Sequence, residues 1–187
     1  MFLNDNQDHL RSIYADLHLS NTDFQRNNWM LGEMALLEST GAQRLLEVGC
    51  GNGIFAVAAA NVFEQVYAID WVESPVIRSE LPAPRLEYIV GDALDILLPS
   101  VDLSVSADFL EHIPEDRMED FIRKLSSSAP MQFHKIACYP DSRGLHLSIK
   151  SAEQWLRLFQ SIDASFAILK REFRRNRQDQ EVVCIVR

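Results

Sequence analysis

A chain of 187 residues with 47% apolar side chains is long enough to bury one full hydrophobic core. Its net charge of -9 opposes non-specific binding to nucleic acid, which rests on neutralising phosphates with lysine and arginine. No apolar run approaches a membrane span, the start MFLNDNQDHL lacks the parts of a secretory signal, and Cys50, Cys138 and Cys184 fall in no metal-ligand spacing, so a reduced cytoplasmic setting is expected.

Residues 1–40 read as helical. Ser20 is the expected N-cap with Asp23 in the capping-box position, and Gly41 supplies the stop. Phe24, Leu31, Met34 and Leu37 recur at near-helical spacing, and Trp29 and Met30 are expected to pack this helix onto a sheet. The stretch LLEVGCGNGIFA from Leu45 to Ala56 then opens a strand, a glycine turn and a helix, which is the start of a nucleotide-binding α/β unit. Gly49, Gly51 and Gly53 alternate where a tight turn and a close ligand exclude any Cβ. The dinucleotide fingerprint fails at Ile54 when read from Gly49, and from Gly51 it survives only in a looser form ending at Ala56. A phosphate loop would need a lysine after the last glycine, and Ile54-Phe55 stands there instead. Glu47 beside the turn suits a cationic ligand better than a pyrophosphate.

Downstream, strand and helix patterns alternate. A helix over 54–63 precedes a strand over 65–69, and three prolines limit 73–80 to a short helix at most. Strands follow at 86–90 and 103–107, then a helix at 115–125 and a strand at 131–138. Ser151 and Gln154 form a capping box before a helix that turns Trp155, Leu158 and Phe159 to the sheet. Strands at 164–173 and 181–186 close the chain. The alternation predicts right-handed crossovers in an α/β, Rossmann-like doubly wound sheet, within a single domain over 1–187.

In such a sheet ligands lie beyond the carboxyl ends of the strands, so each end is read for polar residues. Strand 2 ends at Asp70, followed by Trp71; strand 3 ends in Gly91-Asp92-Ala93, which is also a common turn pattern. Strand 4 runs into Asp108-Phe109-Leu110-Glu111-His112-Ile113-Pro114. No cluster of His, Asp and Glu with ligand spacing stands out, so no metal is implied. The run KREFRRNR at 170–177 has five basic residues and one acidic, which fits a solvated hairpin or a contact to a phosphate-bearing acceptor.

The E-x-G-x-G-x-G pattern from Glu47 to Gly53 closely resembles motif I of the class I S-adenosylmethionine-dependent methyltransferases, whose ligand carries an ammonium and a sulfonium but no phosphate. Gly91-Asp92-Ala93 and the segment from Asp108 to Ile113 are similar to that family's strand 3 and strand 4 ends, and the likeness runs in order from Leu45 to Val186. It implies seven strands, mostly parallel with an antiparallel last strand, and an N-terminal helical cap over 1–40 that brings Tyr14 and Trp29 toward substrate. The implied cofactor is S-adenosyl-L-methionine, with S-adenosyl-L-homocysteine as product. Its implied binding residues are Glu47, Gly49, Cys50, Gly51, Gly53, Asp70 at the ribose, Trp71 against adenine, Asp92 and Ala93 at the adenine edge, and Asp108 and Phe109 at the methionine moiety. The segment 139–148, followed by 151–155, looks like an acceptor loop of small bacterial methyltransferases.

The resemblance implies methyl transfer to a small-molecule acceptor, with oxygen the expected target and no nucleic-acid partner. A hydroxyl acceptor gains from losing its proton, and His112 and His146 are the candidate bases; each also fits a purely structural role in its own segment. Two other readings stand beside this one: a donor-binding partner protein without catalysis, and an RNA or protein methyltransferase using the run at 170–177. Nothing in the sequence sets the oligomeric state.

Overall fold

Seven strands, β1 (Arg44–Val48), β2 (Gln65–Asp70), β3 (Leu86–Val90), β4 (Leu103–Ala107), β5 (Met131–Ala137), β6 (Ala167–Arg174) and β7 (Arg177–Val186), form one sheet in the order β3-β2-β1-β4-β5-β7-β6. The computed structural model describes residues 2–175 and 177–187, with side chains from His9 onward except Asp23. β1, β2 and β3 pair in parallel, as do β4 and β5, while β7 runs antiparallel to both β5 and β6. This is the expected mostly parallel sheet with an antiparallel last strand. The chain divides into two units, Met1–Leu97 and Leu98–Arg187.

In the first unit, α1 (Phe2–Ser20), α2 (Thr22–Arg26) and α3 (Met34–Glu38) precede β1. Ser20 is the last residue of α1 rather than a cap, and its hydroxyl donates back to the Asp16 carbonyl at 2.8 Å. The cap belongs to Asn21, whose Oδ1 accepts from the Phe24 N–H at 3.0 Å and starts α2. The side chain of Asp23, the expected partner of Ser20, lies outside the described residues. Met30 is fully buried but Trp29 is 47% exposed, so of that pair only Met30 packs inward. Gly41 stops α3's segment with φ +74°.

β1 and β2 bury Leu45, Leu46, Val48, Val66, Ala68 and Ile69, as a strand covered on both faces must. α4 (Ile54–Ala59) is shorter than its apolar run suggests. The N–H groups of Val62 and Phe63 both reach the Ala59 carbonyl at 2.9 Å, tightening the chain so that Phe63 enters the core. α5 (Pro75–Ser79) is the short helix expected, capped by Ser74 with proline in its first turn.

In the second unit, α6 (Glu115–Ser128) buries Met118, Phe121, Ile122 and Leu125, and α7 (Ala152–Ile162) buries Ala152, Trp155 and Phe159. The Ser151–Gln154 capping box is present in both directions. β6 starts later than its sequence pattern suggested, because Asp163 and Ser165 build a turn: Ser165 donates to Asp163 Oδ1 from its N–H at 2.9 Å and its hydroxyl at 2.7 Å. Arg187 then fastens the chain end, donating to the carbonyls of Ser126, Ala129 and Pro130 and pairing with Asp163 at 3.1 Å. Among the described residues, no helix is long and apolar enough to cross a membrane.

Candidate functional site

The glycine turn in the first unit is forced by backbone conformation. Gly49, Gly51 and Gly53 have φ of +69°, +53° and +75°, a region that side chains with a Cβ avoid. At Gly53 space excludes a side chain as well, since a Cβ would stand 2.6 Å from the Cβ of Ile77. The N–H groups of Gly49 and Cys50 both donate to the Ile69 carbonyl, at 2.9 and 3.0 Å, which fastens the turn to β2. The Cys50 thiol is buried and its carbonyl accepts from the Gly53 N–H at 2.9 Å.

Asp70 ends β2 beside this turn. Its Oδ2 accepts from the Gly51 N–H at 2.8 Å and its Oδ1 from the Val72 N–H at 3.1 Å. Burial raises its pKa to about 6, against the pull of those two bonds. Each carboxylate oxygen keeps a second acceptor site. The Trp71 ring lies 5.7 Å from Tyr14, and Arg11 donates to its carbonyl at 2.9 Å, so α1 props this residue.

Glu47 is only 3% exposed, and its Oε2 has no hydrogen-bond partner among the described residues. Burial pushes its pKa well up and the Asp70 charge adds to this, while the Asn28 side chain and the Ala56 N–H pull it down. A buried carboxylate oxygen left without a partner is costly, and a cationic ligand group removes that cost. The residues present therefore fit the ammonium end of S-adenosylmethionine.

Sequence reasoning missed the network that holds this cluster. Asn52, between the last two glycines, donates to the carbonyls of Phe24 and Asn27 at 2.9 and 2.8 Å and accepts from the Ile54 N–H at 3.1 Å. Asn28 reaches the same Asn52 Oδ1 at 3.4 Å. Ser74 donates to the Asn52 carbonyl at 3.0 Å, and the Tyr88 hydroxyl accepts from the Ser74 N–H at 2.8 Å. An asparagine inside a glycine turn was the available signal. After β3, Asp92 makes the turn its sequence allows, accepting from the Leu94 N–H at 2.9 Å, and Ala93 is buried beside it.

The second unit gathers another cluster. Asp108, at φ +50°, pairs with Arg174, which donates from Nε to the Tyr139 hydroxyl at 3.0 Å. Phe109 meets the Phe121 ring edge-on at 5.7 Å, so part of it belongs to the packing of α6. Glu111 is fully buried; its Oε1 accepts from the Ala137 N–H at 3.1 Å and its Oε2 has no hydrogen-bond partner among the described residues. Burial and the Asp108 charge push its pKa well up.

His112 and His146 lie together, with ring centroids 4.9 Å apart. Each is held through Nδ1 by a backbone carbonyl, of Leu145 at 2.9 Å and of Tyr139 respectively. A carbonyl only accepts, so both Nδ1 atoms carry a hydrogen. Burial lowers the His112 pKa, leaving the ring neutral near pH 7. Asp141 shapes the second histidine's loop by accepting from the N–H groups of Leu145 and His146 at 2.6 and 3.1 Å. Ser148 ties that loop to the end of strand β4's segment, donating to the carbonyls of Glu111 at 2.9 Å and Ile113 at 2.7 Å. One ligand-capable atom from each of Glu111, His112 and His146 lies within 4.8 Å of the others, a cluster that linear spacing hid. Glu111 and Arg174 are the residues sequence reasoning passed over here.

Residues 46–127 match the family model described as a methyltransferase domain. That match covers less than half of the chain. A Mycobacterium tuberculosis protein named a probable S-adenosylmethionine-dependent methyltransferase is 33% identical over 100 residues, covering 52% of this chain and 36% of that protein. The match thus spans about a third of the length of the curated relatives. The chain superposes on the Burkholderia thailandensis 1,6-didemethyltoxoflavin-N1-methyltransferase, bound to 1,6-didemethyltoxoflavin and S-adenosylhomocysteine, with a TM-score of 0.76 and 15% identity over 98% of this chain and 89% of that one. N-methyltransferase NodS from Bradyrhizobium japonicum WM9, in complex with S-adenosylhomocysteine, gives 0.70 and 16% over 95% and 97%. At these identities the two solved structures establish the fold.

Proposed function

We propose that this chain binds S-adenosylmethionine and moves its methyl group to a small-molecule acceptor, with a hydroxyl oxygen as the target. The observation that carries this reading is the partnerless, buried Oε2 of Glu47 beside a glycine turn of three positive-φ residues. When bound, the donor supplies a methyl group on a positively charged sulfur. Glu47 takes the ammonium, Asp70 takes the ribose hydroxyls through its remaining acceptor sites, and the glycines let the backbone come close. Trp71, Asp92 and Ala93 receive the adenine.

The domain's main work is alignment, which supplies about 7–11 kcal/mol of barrier reduction for well-oriented reactants. The imidazole of His112 or His146 accepts the acceptor's proton through Nε2. The N-methyltransferase names of two structural neighbours belong to those proteins; oxygen is proposed here because a hydroxyl needs the base that the histidine pair offers. In the run at 170–177, Lys170, Arg171, Arg174 and Arg177 each meet a carboxylate, which argues against a surface reserved for RNA phosphates. All three cysteines are free thiols, in keeping with a cytoplasmic setting.

The test is a labelled-methyl assay with the purified chain against fractionated small metabolites, RNA and protein. Label should enter a small-molecule fraction alone. Donor binding with no label in any fraction would contradict catalysis and leave a binding protein.

A further inference from the structure

We propose that Glu111, His112 and His146 form a site for a divalent transition cation, of which Zn2+ is the matching probe. Three independent features meet there. Ligand-capable atoms of the three side chains lie within 4.8 Å of one another. A tetrahedral site with bonds of about 2.0–2.2 Å places its ligand atoms roughly 3.5 Å apart, so side-chain shifts of about an ångström complete it.

Both imidazoles are already set as ligands. Each donates Nδ1–H to a backbone carbonyl, Leu145 for His112 and Tyr139 for His146, which fixes the tautomer and aims the lone pair from Nε2. The carboxylate is the remaining feature. Glu111 is 0% exposed, its Oε1 is held by the Ala137 N–H, and its Oε2 has no hydrogen-bond partner among the described residues. A buried oxygen in that state calls for a proton or a cation, and two adjacent imidazole donors select the cation. Two nitrogens and one oxygen favour Zn2+ and its first-row neighbours over Mg2+, which takes oxygen ligands. Asp108 is outside the set because Arg174 holds it in an ion pair.

Three protein ligands leave a fourth position, the pattern of an open zinc site. A cation held there occupies both Nε2 lone pairs, so the base role proposed above belongs to the metal-free chain.

Untagged, chelator-stripped full-length protein titrated calorimetrically with Zn2+ should show one site per chain and no comparable site for Mg2+. His146→Ala and Glu111→Gln should weaken it by more than about 100-fold, beyond the 10- to 100-fold typical of losing an outer-shell partner. Co2+ loading of the wild type should give tetrahedral visible bands without a thiolate charge-transfer band, which settles the question even where a variant fails to fold. Absence of a stoichiometric Zn2+ site, equal affinity in folded His146→Ala, or a thiolate band would overturn the proposal. S-adenosylhomocysteine binding measured on the same samples separates the two proposals: loss of metal with donor binding intact rejects the cation site alone, and metal binding without donor binding rejects the methyltransferase reading alone.

Discussion

Asp70 already accepts two backbone N–H bonds, yet a ribose needs two more acceptor positions from it. Hydrogen bonds to a charged group are worth about 1.5–3 kcal/mol net, so Asp70→Ala should weaken S-adenosylhomocysteine binding about 10- to 150-fold. Asp70→Asn should fall between Ala and wild type. A folded Asp70→Ala protein within about twofold of wild type would place the ribose elsewhere.

The same carboxyl gives a pH signature. Its pKa is raised from 3.8 to about 6 in the folded chain, chiefly by burial. In the ligand-free protein its contribution to folding is therefore full below about 3.8 and lost as pH rises through about 6. On the assignment proposed above, donor binding has the opposite sign, because ribose hydroxyls donate to the ionised form. Calorimetric affinity for S-adenosylhomocysteine should be full at about pH 8 and fall as pH drops through about 6, with a flatter profile in Asp70→Asn. A wild-type affinity independent of pH across that window would count against the ribose assignment.

At the scale of elements, the glycine turn and α5 constrain each other. Gly53 and Gly41 have nearly equal φ, +75° and +74°, but a Cβ meets Ile77 at 2.6 Å in the first case and nothing within 4 Å in the second. Gly41→Ala should cost only the left-handed penalty of about 1–2 kcal/mol, and Gly53→Ala a further 1–3 kcal/mol or so for overpacking. Urea denaturation of the pair isolates the contact. Equal losses would mean that α5 yields freely and does not hold the turn.

Elements set by their own punctuation were legible in the sequence. β3 and β4 have the bounds their short apolar runs predict, and the Ser151–Gln154 box is in place. Ser20 misled because Asn21, an equally good cap, follows it and α1 continues one residue further. α4 misled for a tertiary reason, since the apolar pattern to Phe63 reflects a turn that carries Phe63 into the core and not more helix. The candidate site divides in the same way. Glu47, the glycines and Asp70 sit at positions a strand–turn–helix pattern marks. Asn52, Glu111 and Arg174 take their meaning from partners remote in the chain, such as Phe24, Ala137 and Asp108, which no local spacing shows.

At the scale of the whole molecule, each unit brings one cluster that asks for a ligand: Glu47 and Asp70 in the first, Glu111 and the histidine pair in the second. The central claim is that the first of these holds S-adenosylmethionine, and thermal unfolding with and without ligand tests it most directly. A ligand bound only to the folded state at about 100 times its Kd adds about 2.7 kcal/mol, which for a chain of this size raises Tm by roughly 5–10 °C. S-adenosylhomocysteine should give that shift and NAD should give none. A shift with NAD and none with S-adenosylhomocysteine would contradict the reading of the glycine turn and the function built on it.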